Sequence, residues 1–181
     1  MKKLKEIIFE YILHHQHARK TRFPHFDQPM NVLVVYESDM LEHNDAVKSV
    51  QQDMRRRGMN VSLWGYAPKR NKDITSPVLP QSRIVGLDDY NLFGKLKSET
   101  EEALRANRYH ILFDLSTHPL LPLRYLALYA DADFKAGLNM GEGIHDMLIA
   151  PSNLDTEQAR PEVTWLYNQM IDFLSKIKSN D

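Results

Sequence analysis

The chain has 181 residues, 43% of them hydrophobic and 26% charged, with a net charge of -1: the profile of a single globular domain that buries its own core. A near-neutral charge gives no global attraction to nucleic acid, and no apolar run reaches the roughly 18–20 residues of a membrane span. The absence of cysteine excludes disulfides, thiol nucleophiles and cysteine-ligated metal centres.

In chain order, the first element is a helix over about Lys2 to His17. Leu4, Ile7, Ile8, Tyr11 and Leu13 form its apolar stripe, which Phe9 and Ile12 widen. Glu10 interrupts the apolar segment and three histidines stand where a signal peptide would have small residues, so the segment reads as retained and the protein as cytoplasmic. The basic, proline-marked stretch RKTRFPHFDQP follows as a linker or arm. Residues 1–28 therefore read as a basic helix and arm, and 29–181 as the domain proper. The helix packs on its own domain with its basic side in water, lies on an anionic membrane, or holds a protein partner.

NVLVVY (Asn31–Tyr36) is apolar on both faces and β-branched, as a central parallel strand should be. A helix over about Leu41–Arg57 ends at Gly58. NVSLWGY (Asn60–Tyr66) completes a strand–helix–strand unit. The polar, proline-bearing Ala67–Pro80 is a long loop of the kind that is often functional. Further strands are expected at Ser82–Leu87, Tyr109–Leu115, Asp133–Leu138 and Asp146–Ala150. Helices are expected at Glu99–Asn107, Pro122–Ala130 and Pro161–Ile177, the last burying Trp165, Met170, Phe173, Leu174 and Ile177. Alternating strands and helices predict a three-layer, Rossmann-like α/β fold with a mostly parallel sheet of five to six strands.

In such a sheet, ligands bind beyond the carboxyl ends of the strands, where strand order reverses. Two polar clusters qualify: Glu37, Ser38 and Asp39 after the first strand, and Asp114, Ser116, Thr117 and His118 after the fourth. His43, one helical turn on, can join them. Glu37, Asp39 and Asp114 are candidate ligands for magnesium, a cation that takes oxygen donors; no cofactor is otherwise expected. Asp114, Ser116 and His118 are the catalytic candidates, with Ser116 or Thr117 as nucleophile and His118 or His43 as base. Glu37, Ser38, Asp39 and Thr117 are the ligand-binding candidates. The alternative is structural: Ser38 or Asp39 caps the following helix, Asp114 caps its own turn, and the Ser-Thr-His segment starts the next helix. The context L-S-T-H-P lacks the glycines of a serine elbow, and YESDMLEHNDA after the first strand carries no glycine-rich phosphate motif. Gly137, Gly141 and Gly143 shape a turn or cradle an anion. His14, His15 and His17 are a solvated helix end or a weak metal site.

The stretch YHILFDLSTHPLLPLRYLALYADADFKAGL (Tyr109–Leu138) resembles part of the N-terminal domain of heptosyltransferase-type glycosyltransferases. The matching positions are Asp114, Leu115, Leu123–Ala130 and Gly137. This resemblance implies a Rossmann-like half and no catalytic residue. The whole plan is similar to a family of small uncharacterised Bacteroidetes proteins carrying a domain of unknown function. It combines the basic helix, NVLVVY, the long loop, FDLS and DMLI, and it implies no particular activity. The function expected is a non-catalytic binding or protein-interaction module. The alternative is a small metal-assisted hydrolase or transferase acting on a phosphorylated or sugar metabolite.

Overall fold

The structure, a computed structural model, describes residues 2–16, 19–25, 28–39, 41–74, 79, 82–140, 143–150 and 162–177. Among these residues five α-helices and six strands follow one another as α1 (Lys2–His15), β1 (Asn31–Glu37), α2 (Leu41–Arg56), β2 (Asn60–Tyr66), β3 (Ser82–Val85), α3 (Ser98–Arg105), β4 (Tyr109–Asp114), α4 (Leu121–Tyr129), β5 (Ala132–Leu138), β6 (Met147–Ile149) and α5 (Val163–Lys176). The strands form one sheet in the order β3-β2-β1-β4-β5-β6, and every neighbouring pair is parallel. The mostly parallel Rossmann-like α/β fold expected from the hydrophobic pattern is the fold observed, with order reversing between β1 and β4.

The pleat divides the core. Val32, Val34 and Tyr36 of β1 join Ile111 and Phe113 of β4 and Phe134, Ala136 and Leu138 of β5 against α2 and α5. Leu33 and Val35 join Leu112 on the opposite face, with α4, Leu104 of α3 and Phe9 of α1. Alternation then sends Glu37, Asp114, Lys135 and Gly137 to the α4 face as well. The register pairs Val35 with Asp114, so Glu37 stands two residues further out along the neighbouring strand. The polar ends of β1 and β4 therefore meet on one face.

Several details differ from the sequence expectations. The strand expected to reach Leu87 ends at Val85, because Gly86 opens a short 3-10 turn over Leu87–Asp89. There the Asp89 carboxylate accepts the Gly86 N–H at 2.8 Å and the Thr100 hydroxyl at 2.9 Å. Phe173 and Ile177 of the last helix are exposed, at 54% and 39%. Met170 and Leu174 are buried as expected and Trp165 half-buried, and the helix also buries Val163, Leu166, Tyr167 and Ile171. The start expected for it at Pro161, and residues 75–78 and 80 of the long loop, lie outside the described residues.

The largest difference is at α1. Leu4, Ile7 and Tyr11 are 52%, 58% and 63% exposed, whereas Phe9 is fully buried. The helix carries two apolar faces, and α4 selects between them. Arg124 of α4 donates to Glu6 at 2.5 Å and to Glu10 at 2.9 Å. Glu6, Phe9, Glu10 and Leu13 lie at i, i+3, i+4 and i+7, one face of a helix. Phe9 meets Tyr125 edge-on at 4.9 Å, and the Arg124 guanidinium lies 4.1 Å above its ring. Because α1 covers the outside of α4, every residue from Leu123 to Tyr129 is buried. The arm is tied down as well: Arg22 N–H donates to Asp133 O at 3.0 Å, Arg19 donates to the carbonyls of Ala132 and Asp133 at 2.9 and 2.8 Å, and Thr21 donates to Asp146 at 2.7 Å. Among the described residues no helix is long and apolar enough to cross a membrane.

Candidate functional site

The β1–β4 crevice is built around Glu37, which is 5% exposed. Its Oε1 accepts the backbone N–H groups of Thr117 and His118, each at 2.9 Å, and the Thr117 hydroxyl at 3.3 Å. His118 Nδ1 lies 2.9 Å from Oε1 and 2.8 Å from Oε2. One carboxylate thus binds both amides and both side chains of the segment leaving β4. With Nδ1–H given to Glu37, the imidazole is fixed in the tautomer that leaves Nε2 as the basic nitrogen. His43 Nδ1 stands further off, 3.9 Å from Oε2.

Asp114 makes the second cluster. Its Oδ1 accepts the Ser116 N–H at 3.0 Å, an Asx turn at the strand exit, and its Oδ2 meets His145 Nε2 at 3.0 Å. His145 arrives from the β5–β6 connection. It fits because Gly137, at its side in β5, has no side chain: a Cβ there would lie 2.5–2.7 Å from the imidazole ring. Gly137 is therefore a strand glycine that admits a ring, not a residue of the turn. Gly137→Ala is expected to displace His145, break its pair with Asp114 and destabilise the fold by about 1–3 kcal/mol. Urea unfolding measures the loss, and the His145 ring resonances report the displacement.

Ser38 and Asn44 complete the rim. Ser38 Oγ donates to Asn44 Oδ1 at 3.3 Å, and Asn44 Nδ2 donates to the Ser38 carbonyl at 3.2 Å. Asp39 turns outward to Lys69, 3.2 Å away. The structure thus brings together Glu37, Thr117, His118 and His43 as one cluster, and Asp114, Ser116 and His145 as another, and leaves Asp39 apart from both. No group of three or more metal-ligating side chains among the described residues is arranged to hold an ion. The physical reason is visible for the three carboxylates proposed as magnesium ligands: each is already committed, Glu37 to the Thr117–His118 segment, Asp114 to Ser116 and His145, and Asp39 to Lys69.

Nucleophile chemistry meets a similar geometry. The Ser116 hydroxyl is buried and makes no hydrogen bond, so no imidazole is placed to take its proton. Thr117 Oγ1 lies 3.1 Å from His118 Nδ1, but that nitrogen is the one held by Glu37. The cavity reached by Asp114, Ser116, His118 and His145 has a volume of about 10 Å³. Ligand sites run to roughly 300–1,000 Å³, so this space suits at most one water.

Two residues with unusual surroundings were not singled out by the sequence. His145 gave no spacing signal, because its partner Asp114 is a tertiary neighbour. Lys135 did carry one: it is a charged residue inside ADFKAGL, a strand otherwise buried along nearly its whole length. It is 3% exposed, and its Nζ donates to the Ala127 and Leu128 carbonyls at 2.6 and 3.0 Å. Burial, with Arg19 next in effect, pulls its ammonium down to about 7. Of the amino-terminal histidines, His15 donates its Nδ1–H to the Tyr11 carbonyl at 2.8 Å and stacks on the Tyr11 ring. His17 and Gly141 lie outside the described residues.

No curated protein and no solved structure matches the chain, so the likeness of Tyr109–Leu138 to heptosyltransferase-type enzymes has no counterpart there. The model of one family does match, over residues 2–164, and the chain belongs to it: Family of unknown function (DUF6913).

Proposed function

We propose that the protein is a non-catalytic binding module that holds a protein partner on the outward face of α1. The observation that carries this reading is the sorting of side chains on that helix. Its two carboxylates, Glu6 and Glu10, are drawn inward to Arg124. Its outward face keeps Leu4, Ile7 and Tyr11 exposed, beside the exposed Lys2 and Lys3. Leu87, which shares a groove with Lys2 and Lys5, is 50% exposed. A groove of about 410 Å³ runs from Lys2 and Lys5 past Leu87 and Tyr90 to Pro119–Pro122. Apolar patches of this kind mark interaction surfaces, and the lysines select a partner segment that mixes apolar side chains with carboxylates.

In this reading Glu37, Asp114, Ser116, Thr117 and His118 are a clamp that sets the exit of β4 and hence the position of α4, on which α1 rests. A magnesium-assisted hydrolase or transferase would need substrate room and gathered carboxylates at the crevice, and the commitments described above give it no support. A cytoplasmic location belongs to the same proposal.

The test compares capture of binding proteins by the intact chain and by the Leu4→Ser/Ile7→Ser variant, with Phe173→Ser as an exposed control on α5. Partners are identified by mass spectrometry and retested as purified proteins. Exposed substitutions should alter stability by less than about 0.5 kcal/mol. At least about a tenfold loss of affinity is expected for the α1 variant alone, equivalent to about 1.4 kcal/mol. Equal capture by all three chains would contradict the proposal. So would α1-dependent binding to phosphatidylserine vesicles with no protein retained.

A further inference from the structure

The arm, the C-terminal end of α4 and the β5–β6 connection enclose a cavity of about 810 Å³, well within the range of small-molecule sites. It shares Tyr11 with the α1 surface invoked above but includes neither Leu4 nor Ile7. Lys135 is on its wall, together with His15, Arg19, Arg105, Tyr129 and His145. Capping the last carbonyls of α4 accounts for the two hydrogen bonds of Lys135. It does not account for a ligand-sized space beside a buried amine.

We propose that Lys135 captures a small carbonyl compound in this cavity, an aldehyde or ketone carrying a carboxylate, as an imine on Nζ. The geometry suits the chemistry. Two N–H bonds of the amine point at the Ala127 and Leu128 carbonyls, and the remaining tetrahedral position of Nζ is the lone pair of the neutral form. Neutrality near pH 7 is favoured by burial first and by Arg19 and Arg105, against Asp146 and Asp131; a desolvated lysine beside other cations is the usual arrangement for imine chemistry. Asp146 is itself tied to Arg19, while Arg105, which also pairs with Glu101 at 3.2 Å, lines the cavity with His15 and supplies the cation that attracts the ligand's carboxylate. The step is balanced without a co-reactant. The Nζ lone pair adds to the carbonyl carbon, and one N–H proton moves to the carbonyl oxygen, giving a carbinolamine. Loss of that hydroxyl with the second N–H proton releases water and leaves C=N.

The test uses glyoxylate as the probe with cyanoborohydride, which reduces any imine to a stable carboxymethyl-lysine that peptide mass spectrometry locates. Because Lys135→Met removes the partner of two carbonyls, the decisive reading is taken on the unaltered chain. Modification at Lys135 is expected to be at least about tenfold faster at pH 7 than at exposed lysines, whose ordinary value of about 10.4 keeps them protonated. Its rate should rise with pH to a plateau through a midpoint near 7. Modification of exposed lysines with Lys135 untouched would overturn the proposal, as would a Lys135 rate whose midpoint lies near 10.

Discussion

Glu37→Ala is expected to destabilise the protein by about 3–5 kcal/mol, since each buried donor left without an acceptor costs about 1–3 kcal/mol. The loss is large because a single carboxylate serves several donors. Without it the amides of Thr117 and His118, the Thr117 hydroxyl and the His118 ring lose their acceptor in a place that water does not freely reach. A domain of this size is stable by only about 5–15 kcal/mol, so the variant should unfold at a much lower urea concentration with a similar dependence on denaturant. Were Glu37 instead a solvated ligand-binding group, its removal would leave stability within about 0.5 kcal/mol.

Phe9→Ala carries the second large effect, about 3–5 kcal/mol. Phe9 is fully buried, between the Tyr125 ring and the Arg124 guanidinium. The contrast with Ile7, two residues away and 58% exposed, makes the prediction specific: Ile7→Ala should be nearly neutral. Urea unfolding of the two variants side by side decides which face of α1 belongs to the core. Equal losses would mean that both faces are packed.

The strands were legible because burial on both faces imposes a continuous apolar run: β2 has the bounds read from the sequence, and β1 extends one residue further, to Glu37. The approach of Glu37 to Thr117 and His118 followed from the topology of a parallel sheet with its switch point at the first strand. What the residues do there was less legible, since a carboxylate that clamps a loop and one that waits for a ligand look alike in sequence. The face of α1 was misassigned because Leu4, Ile7 and Tyr11 form as good an apolar stripe as the face through Phe9. Only the Arg124 pairs with Glu6 and Glu10 break the tie, and they span more than a hundred residues. His145 escaped notice for the same reason, since its meeting with Asp114 depends on the vacancy at Gly137.

The clamp at the crevice is most directly tested by amide hydrogen exchange at Thr117 and His118. Both N–H groups lie in an irregular segment outside the regular elements, where exchange would ordinarily be fast. Held by Glu37, they should exchange as slowly as the amides of β1 and β4, opening only with the fold as a whole. Exchange at the rate of an exposed loop would show that the Glu37 carboxylate is not holding the segment.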